Sequence, residues 1–205
     1  MDRLFYPTVD FRPLDSLSVL VLNWSRTMTF PLLPESIRVL DISQHSSIRW
    51  SVRCLESSPL PNLESFTADN NPYIKNVHVL AILAPSLEKR SLRSLSLDGC
   101  RSMDFNPLEW LMKHGENLES LRIGGNSTVT DEVLKEVAGF RKLRYLGLST
   151  CGISGTGLMN VVYGSSPGML REVDVSGCLN IGWDEVQSAK KSGVNITQRV
   201  GGRFW

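Results

Sequence analysis

The stretch Leu92-Arg93-Ser94-Leu95-Ser96-Leu97-Asp98-Gly99-Cys100 contains a nine-residue phrase that recurs along the chain. A second clear copy runs from Leu143 to Cys151, and the other copies are looser. The seven copies start at residues 17, 37, 63, 92, 118, 143 and 170, so successive starts lie 20 to 29 residues apart. We number the positions of each phrase 1 to 9. A repeat of this length indicates structural units that stack on one another and share a core.

Within the phrase, the apolar positions 4 and 6 alternate with positions 3 and 5, as in a short strand that has one buried face. Stacked phrases would form a parallel sheet with one strand per repeat. Position 9 should be buried, and there an Asn can pair orphaned backbone groups while a Cys can do so weakly. We therefore predict structural rather than reactive roles for Cys100, Asn126, Cys151 and Cys178.

The segments that lead from one strand to the next carry helix signals in the later repeats. Thr130 or Asp131 could cap a helix over residues 130–138, and Asn106 followed by Pro107 favours a helix start. A third segment, 184–193, begins with acidic residues, ends with basic ones and stops at a glycine. Prolines interrupt the earlier segments, so we expect extended or 3₁₀ returns there.

The phrase and its period resemble those of leucine-rich-repeat proteins. After position 9, later repeats continue as Val129-Thr-Asp-Glu-Val-Leu134 and Ile181-Gly-Trp-Asp-Glu-Val186. This is similar to the cysteine-containing repeat of F-box/leucine-rich-repeat proteins, over about residues 92–196. The expected fold class is α/β: a right-handed leucine-rich-repeat solenoid (horseshoe) with one parallel strand per repeat and helices or 3₁₀/extended returns on the convex side.

We expect a single solenoid over residues 1–205. Residues 1–16 would form an N-terminal cap or partial repeat, because they contain more apolar side chains than a disordered tail usually does. Residues 17–193 would form about seven repeats. Residues 194–205 would form a last short strand and a tail, and the sequence does not decide whether that tail folds back.

The family resemblance implies a substrate receptor of a cullin–RING (SCF-type) ubiquitin ligase, whose repeats hold the target while an F-box docks a Skp-type adaptor. Only sixteen residues precede the first phrase, which is too few for the several helices of an F-box. A Skp-type adaptor is therefore expected only if an F-box lies outside this chain. The alternatives are a repeat-only adaptor and a regulator of an enzyme such as a GTPase.

Composition narrows the partner classes. The chain has 22 basic and 21 acidic residues and a net charge of +1, which argues against nucleic acid as a partner. No apolar run approaches the ~20 residues that span a bilayer, and no secretory signal is visible, so we expect no membrane partner and a cytoplasmic and/or nuclear location. Cysteines and histidines are widely separated in the sequence, so we expect no metal. No nucleophile–base arrangement or catalytic motif can be assembled, so we also expect no enzyme activity and no cofactor.

The outward positions 3 and 5, together with position 7 just beyond them, suggest a ligand-binding concave face. This face is apolar at its start, rich in hydroxyl groups in the middle and acidic at its end. It would suit a protein or peptide ligand that is basic or hydroxyl-rich, with Tyr145 as an anchor. The alternative is that the serines only permit curvature and the acids only keep the face soluble. The predicted partner-binding residues are Asp41, Asp69, Asp98, Arg122, Tyr145, Glu172 and Asp174. A possible N-terminal apolar patch consists of Val19, Val21, Trp24 and Val39.

Overall fold

The computed structural model describes residues 8–23, 28–45, 48–49, 58–105, 111, 115, 117–165, 169–200 and 203–204. The strands are β1 (Val19–Val21), β2 (Met28–Thr29), β3 (Val39–Asp41), β4 (Ile48–Arg49), β5 (Ser65–Thr67), β6 (Ser94–Ser96), β7 (Ser120–Arg122), β8 (Tyr145–Gly147), β9 (Glu172–Asp174), β10 (Asn195–Thr197), β11 (Arg199–Val200) and β12 (Arg203–Phe204). The helices are α1 (Asn76–Glu88), α2 (Asp131–Val137), α3 (Gly155–Gly164) and α4 (Trp183–Lys190).

The main sheet has eight strands, all parallel, in the order β1-β3-β5-β6-β7-β8-β9-β10. The first seven of them occupy positions 3 to 5 of the seven phrases, so the predicted one strand per phrase is confirmed. The predicted strand near residues 194–197 is also present, as β10. Each strand pairs with the strand of the next repeat and the sheet does not close, so the chain is an α/β fold around one open parallel sheet.

The core lies on one face of this sheet. From the second phrase onward, every residue at positions 4 and 6 has no solvent exposure, as for Leu121 and Ile123. In the first phrase, by contrast, Leu20 and Leu22 are only half-buried. The inward positions therefore agree with the predicted alternation, and the core is less completely covered at its N-terminal end.

The residue at position 8 of the phrase has a left-handed backbone conformation in each turn that the structure describes. The values of φ there are 62° for Gln44, 56° for Asn70, 68° for Gly99, 68° for Gly125, 56° for Thr150 and 74° for Gly177. Glycine takes this conformation without a steric penalty, whereas a β-branched residue such as Thr150 rarely does. The turn directs the chain away from the sheet, and it explains why glycine recurs at this place.

Two of the predicted helices agree well with the structure. Helix α2 begins with Asp131 and Glu132 and buries Val133, Leu134 and Val137. Helix α4 also starts with acidic residues, and the chain turns at Gly193, where φ is 88°. The helix predicted from Asn106 falls outside the described residues apart from Leu111, which is buried.

Helix α1 was not predicted from the sequence. Its N-cap residue, Lys75, is not a favoured capping type, no acidic residue lies in its first turn, and Pro85 lies inside it. It forms because Val79, Ile82, Leu83 and Leu87 bury one face against the core.

Earlier in the chain, β2 and β4 pair as a two-stranded parallel sheet, so the described returns there are extended, as expected.

Asp131 connects neighbouring helices. Its carboxylate accepts hydrogen bonds from the backbone N–H (2.9 Å) and the hydroxyl (2.6 Å) of Ser154, which is the N-cap of α3. A Cβ atom on Gly157 would lie 2.2 Å from Oδ1 of Asp131, so this contact requires a glycine in the first turn of α3. The repeats are thus coupled through their helices as well as through the sheet.

The two ends of the chain differ. After β10, strands β11 and β12 form an antiparallel pair, and the buried Gln198 donates a hydrogen bond of 2.9 Å to the backbone oxygen of Ile181. At the other end, Asp10 forms a parallel bridge with Leu32, which places the start of the described chain beside the first return segment rather than beside β1. Of the segment predicted to form an N-terminal cap, the structure describes residues 8–16.

Candidate functional site

The outward residues of the main sheet form two straight rows, because every strand pairs with the next in the same register. Row A holds the residues at position 3 and their equivalent in β10: Val19, Val39, Ser65, Ser94, Ser120, Tyr145, Glu172 and Asn195. Row B holds those at position 5: Val21, Asp41, Thr67, Ser96, Arg122, Gly147, Asp174 and Thr197. We call this surface the outward face. Five of the predicted binding residues lie in these rows, namely Asp41, Arg122, Tyr145, Glu172 and Asp174, while Asp69 and Asp98 lie at position 7, just beyond the strands.

One place in from each end of row B, a carboxylate accepts hydrogen bonds from the turn that follows its strand. Asp41 accepts hydrogen bonds from the backbone N–H (2.9 Å) and the hydroxyl (2.6 Å) of Ser43. Asp174 accepts one from the backbone N–H of Ser176 at 2.9 Å, and another from the hydroxyl of Ser149 at 2.9 Å. These two carboxylates therefore serve the structure of the turns.

Asp69 makes similar bonds across repeats. It accepts hydrogen bonds from the hydroxyl of Ser96 at 2.6 Å and from the backbone N–H of Asp98 at 2.9 Å. Burial raises the pKa of Asp69, while the bond from Ser96 opposes that rise. Its Oδ1 atom therefore stabilises the turn of the next repeat.

Asp98 binds both a backbone group and a cation. Its Oδ1 accepts a hydrogen bond of 2.6 Å from the backbone N–H of Gly124, and its Oδ2 accepts one of 2.8 Å from Nε of Arg122. A Cβ atom on Gly147 would lie 3.0 Å from Cγ of Arg122, so the glycine leaves room for the arginine stem. The positive charge of Arg122 is thereby paired within the outward face.

Tyr145 and Glu172 differ from the other predicted residues. They lie directly opposite each other in row A, and both are half-buried. Neither the Tyr145 hydroxyl nor the Glu172 carboxylate has a hydrogen-bond or ion-pair partner among the residues that the structure describes. Burial raises the pKa of Tyr145, and nearby Arg122 lowers it. These two side chains are the best placed on the face to contact another molecule.

The predicted apolar patch lies at the start of the same rows. Val19 and Val21 are 54% and 55% exposed, and Val39 beside them is half-buried. Trp24 lies outside the described residues. The described part of the patch therefore consists of three neighbouring valines on strands β1 and β3.

The position-2 residues form a charged row that sequence reasoning missed. Arg38 pairs with Glu64, and Glu119 lies 3.7 Å from Arg93 and 3.8 Å from Arg144. The signs alternate along the first five charged members, and the sixth, Arg171, is again positive; in order they are Arg38, Glu64, Arg93, Glu119, Arg144 and Arg171. Tabulating position 2 of every phrase would have revealed this alternation.

Position 9 forms a row of buried hydrogen-bond donors. The Nδ2 of Asn126 bonds the backbone oxygen of Leu97 at 2.9 Å, which belongs to the preceding repeat. The thiols of Cys100, Cys151 and Cys178 donate in the same way, over 3.0, 3.5 and 3.0 Å. Burial raises the pKa of Cys100 and of Cys151 to about 12, and it also raises that of Cys178. Thiols in this state are poor nucleophiles at neutral pH.

The described residues contain no group of three or more His, Cys, Asp or Glu side chains that could hold a metal ion. Nor does the described part of the chain include a helix long and apolar enough to cross a bilayer. Compared with models of known protein families the chain matches none, and comparison with curated proteins gives no significant match.

Proposed function

We propose that this chain is a non-enzymatic protein–protein interaction module whose outward face binds an extended peptide segment of a partner protein. In this proposal the repeats form a right-handed leucine-rich-repeat solenoid, and the outward face is its concave side. The recurring phrase, the single strand that each phrase contributes and the open parallel sheet all support that architecture. Solenoids of this kind present long surfaces suited to binding other chains.

The observation that carries the proposal is the pair Tyr145 and Glu172. A half-buried tyrosine offers a large rigid contact area, and such residues often dominate the energy of an interface. Beside it, a carboxylate without a partner among the described residues can pair with a basic side chain of the ligand. Serine hydroxyls continue row A toward β5, where they can bond the ligand's polar groups.

At the level of the cell, we propose that the module recognises substrates for an SCF-type ubiquitin ligase, in the cytoplasm and/or nucleus. The resemblance to cysteine-containing repeats supports this role, and recruitment of a Skp-type adaptor would need an F-box outside this chain. Regulation of a GTPase gains no support, because Arg122, the one arginine within the two outward rows, is already paired with Asp98.

Peptide binding tests the first part of the proposal. An immobilised library of extended peptides should yield basic or hydroxyl-rich binders, whose affinity is then measured for the wild type, Tyr145→Ala and Glu172→Gln. We expect roughly a thirtyfold loss for Tyr145→Ala, as for a central anchor residue. Tyr73→Ala is the matched control, because Tyr73 is 63% exposed and lies outside the strands of the sheet. Equal affinity in all variants would show that the outward face is not the binding site.

Affinity capture from cells with the full-length gene product tests the ligase role. The expected result is recovery of a Skp-type adaptor and a cullin together with the chain's substrate, and reduced substrate recovery with Tyr145→Ala. Recovery of a stable GTPase without adaptor or cullin would contradict the proposal. Because the peptide experiment uses purified protein, it can succeed even if this one fails.

A further inference from the structure

Strand β1 is one end of the main sheet, and its outer edge has no strand partner among the described residues. On its inner edge, the backbone oxygen of Ser18 and the backbone N–H of Leu22 bond to β3, over 3.0 and 2.7 Å. In a parallel pair the backbone groups of successive residues face opposite edges. The N–H and C=O groups of Val19 and Val21 therefore point away from β3, and no described residue forms a hydrogen bond with them.

The apolar core is also open at this edge. Leu17, Leu20 and Leu22 are only half-buried, although their equivalents in the next phrase are completely buried. At the opposite end of the sheet, the inward residue of β10, Ile196, is only 3% exposed. Apolar surface is thus left in contact with solvent beside β1 and not beside β10.

The sequence of this edge lacks the usual protection against pairing. Natural edge strands carry charged residues or prolines that prevent another strand from adding to them. Residues 17–23, Leu-Ser-Val-Leu-Val-Leu-Asn, contain neither. The side chains of Val19 and Val21 are also more than half exposed. An aliphatic edge of this kind is suited to accept a further strand.

The strand is complementary to itself. Its sequence Val19-Leu20-Val21 reads the same in both directions, and its free backbone groups lie symmetrically about Leu20. In an antiparallel pair centred on Leu20, Val19 of one chain and Val21 of the other would exchange both of their hydrogen bonds. The two Leu20 side chains would meet on the inner face, so that two half-open cores would cover each other.

We propose that β1 pairs antiparallel with β1 of a second copy of this chain, about a two-fold axis through Leu20. The resulting sheet would contain sixteen strands, eight from each copy. Such an interface uses the same patch on both copies, which is the commonest way in which soluble proteins form dimers. The contact involves the edge of the sheet rather than Tyr145 and Glu172, so it does not depend on the peptide-binding proposal.

The first test measures the mass of the chain in solution by sedimentation over a wide range of concentration. We expect the wild type to reach twice the mass of one chain. Val19→Lys combined with Val21→Lys should abolish the dimer, because each new lysine would face another lysine across the axis. Val19→Lys combined with Val21→Glu is the matched control, and should restore the dimer because each lysine would then face a glutamate.

This charge exchange distinguishes the proposed pairing from other contacts. A wild type that stays monomeric at every concentration would overturn the proposal, and the edge would then have another occupant, such as a segment of the same chain. A dimer that persists with the two lysines, or one that does not return with the Lys/Glu pair, would overturn it equally.

Hydrogen exchange provides a test that needs no substitution. In dilute protein, the amides of Val19 and Val21 should exchange quickly, since their N–H groups point away from β3 and bond no described residue. Concentration into the dimer should slow both of them, and should leave unchanged the amide of Leu22, which is already bonded to β3. Fast exchange of Val19 and Val21 in a fully dimeric sample would show that the dimer uses another surface, contrary to the proposal.

Discussion

Asp98 uses both carboxylate oxygens within the chain, one for the backbone N–H of Gly124 and one for Arg122. Gly124 is buried, so its N–H would have no water to replace the lost acceptor. Glu172 lies on the same outward face and makes no such bond. Two acidic residues that were predicted to share one binding face therefore differ: Asp98 bonds within the fold, and the Glu172 carboxylate bonds no described residue.

We predict that Asp98→Ala lowers the free energy of unfolding by about 2 kcal/mol, the cost of leaving a buried donor unsatisfied. Glu172→Ala should change it by less than about 0.5 kcal/mol, as surface substitutions usually do. Urea unfolding of both variants measures the difference. Equal values for the two would mean that the bond to Gly124 contributes nothing to stability. Because Asp98 bonds Gly124 and Arg122 within the fold, reversing its charge would disturb the fold and is therefore unsuitable as a test of ligand binding.

The buried thiols give a second prediction, on pH. Burial raises the pKa of Cys151 from the 9.0 of a free thiol to about 12, so above pH 9 the unfolded chain loses this proton while the folded chain keeps it. The thiol's contribution to stability is thus complete below pH 9 and is lost as the pH rises toward about 12. Cys151→Asn should unfold with a shallower dependence on alkaline pH, because asparagine fills position 9 in other repeats and does not titrate.

Urea midpoints measured at several pH values from neutral to strongly alkaline would show the effect. The comparison between variant and wild type removes the contribution of lysines and tyrosines, which titrate in both. If the two proteins lose stability in parallel, the thiolate of Cys151 is tolerated in the folded state.

At the scale of elements, the positions of the strands could be predicted from the sequence, whereas the hydrogen bonds between side chains of neighbouring repeats could not. Each strand is located by the alternation of apolar and polar residues within the phrase and by the turn at position 8, because both features depend only on nearby residues. Asp69 and Asp98, however, bond residues 24 to 29 positions later, in the next repeat. Helix α1 escaped prediction because burial of one face, not capping, determines it. The open edge of β1 depends on which segments stack there, which no local pattern encodes.

Asp131 provides a prediction at the same scale, because it joins α2 to the first turn of α3. Asp131→Ala should lower the free energy of unfolding by about 1 to 2 kcal/mol, as expected when a capping acceptor is lost. Glu132→Ala is the matched control: Glu132 is the next residue and forms only an exposed ion pair with Lys135, worth about 0.5 kcal/mol. Thermal unfolding of the two variants compares them, and equal melting temperatures would refute the coupling.

For the whole molecule, stability should not be uniform along the sheet. Position 4 is completely buried in Leu121 at the centre and only half-buried in Leu20 at the N-terminal edge. We predict that Leu121→Ala costs about 3 to 4 kcal/mol, the range for a large-to-small change in a core. Leu20→Ala should cost about 1 kcal/mol in the monomer, because its side chain is only partly removed from water.

Chemical unfolding at a protein concentration low enough to exclude association measures both values. Leu20 and Leu121 share the phrase position, the strand type and the substitution but lie on different strands, β1 and β7, so the comparison tests the effect of burial. If Leu20→Ala were as costly as Leu121→Ala in dilute protein, the N-terminal core would be covered within a single chain.

The alternating charges at position 2 have a consequence for how the number of repeats can change. Deletion of the single repeat that carries Glu64, Arg93 or Glu119 would bring two residues of the same sign side by side, whereas deletion of two neighbouring repeats among these three would preserve the alternation. Each exposed pair contributes at most about 1 kcal/mol, so a single deletion would weaken the sheet without preventing its formation. In this part of the chain, the unit that can be added or removed without electrostatic penalty is therefore a pair of repeats, and a shortened or lengthened variant should be designed in steps of two.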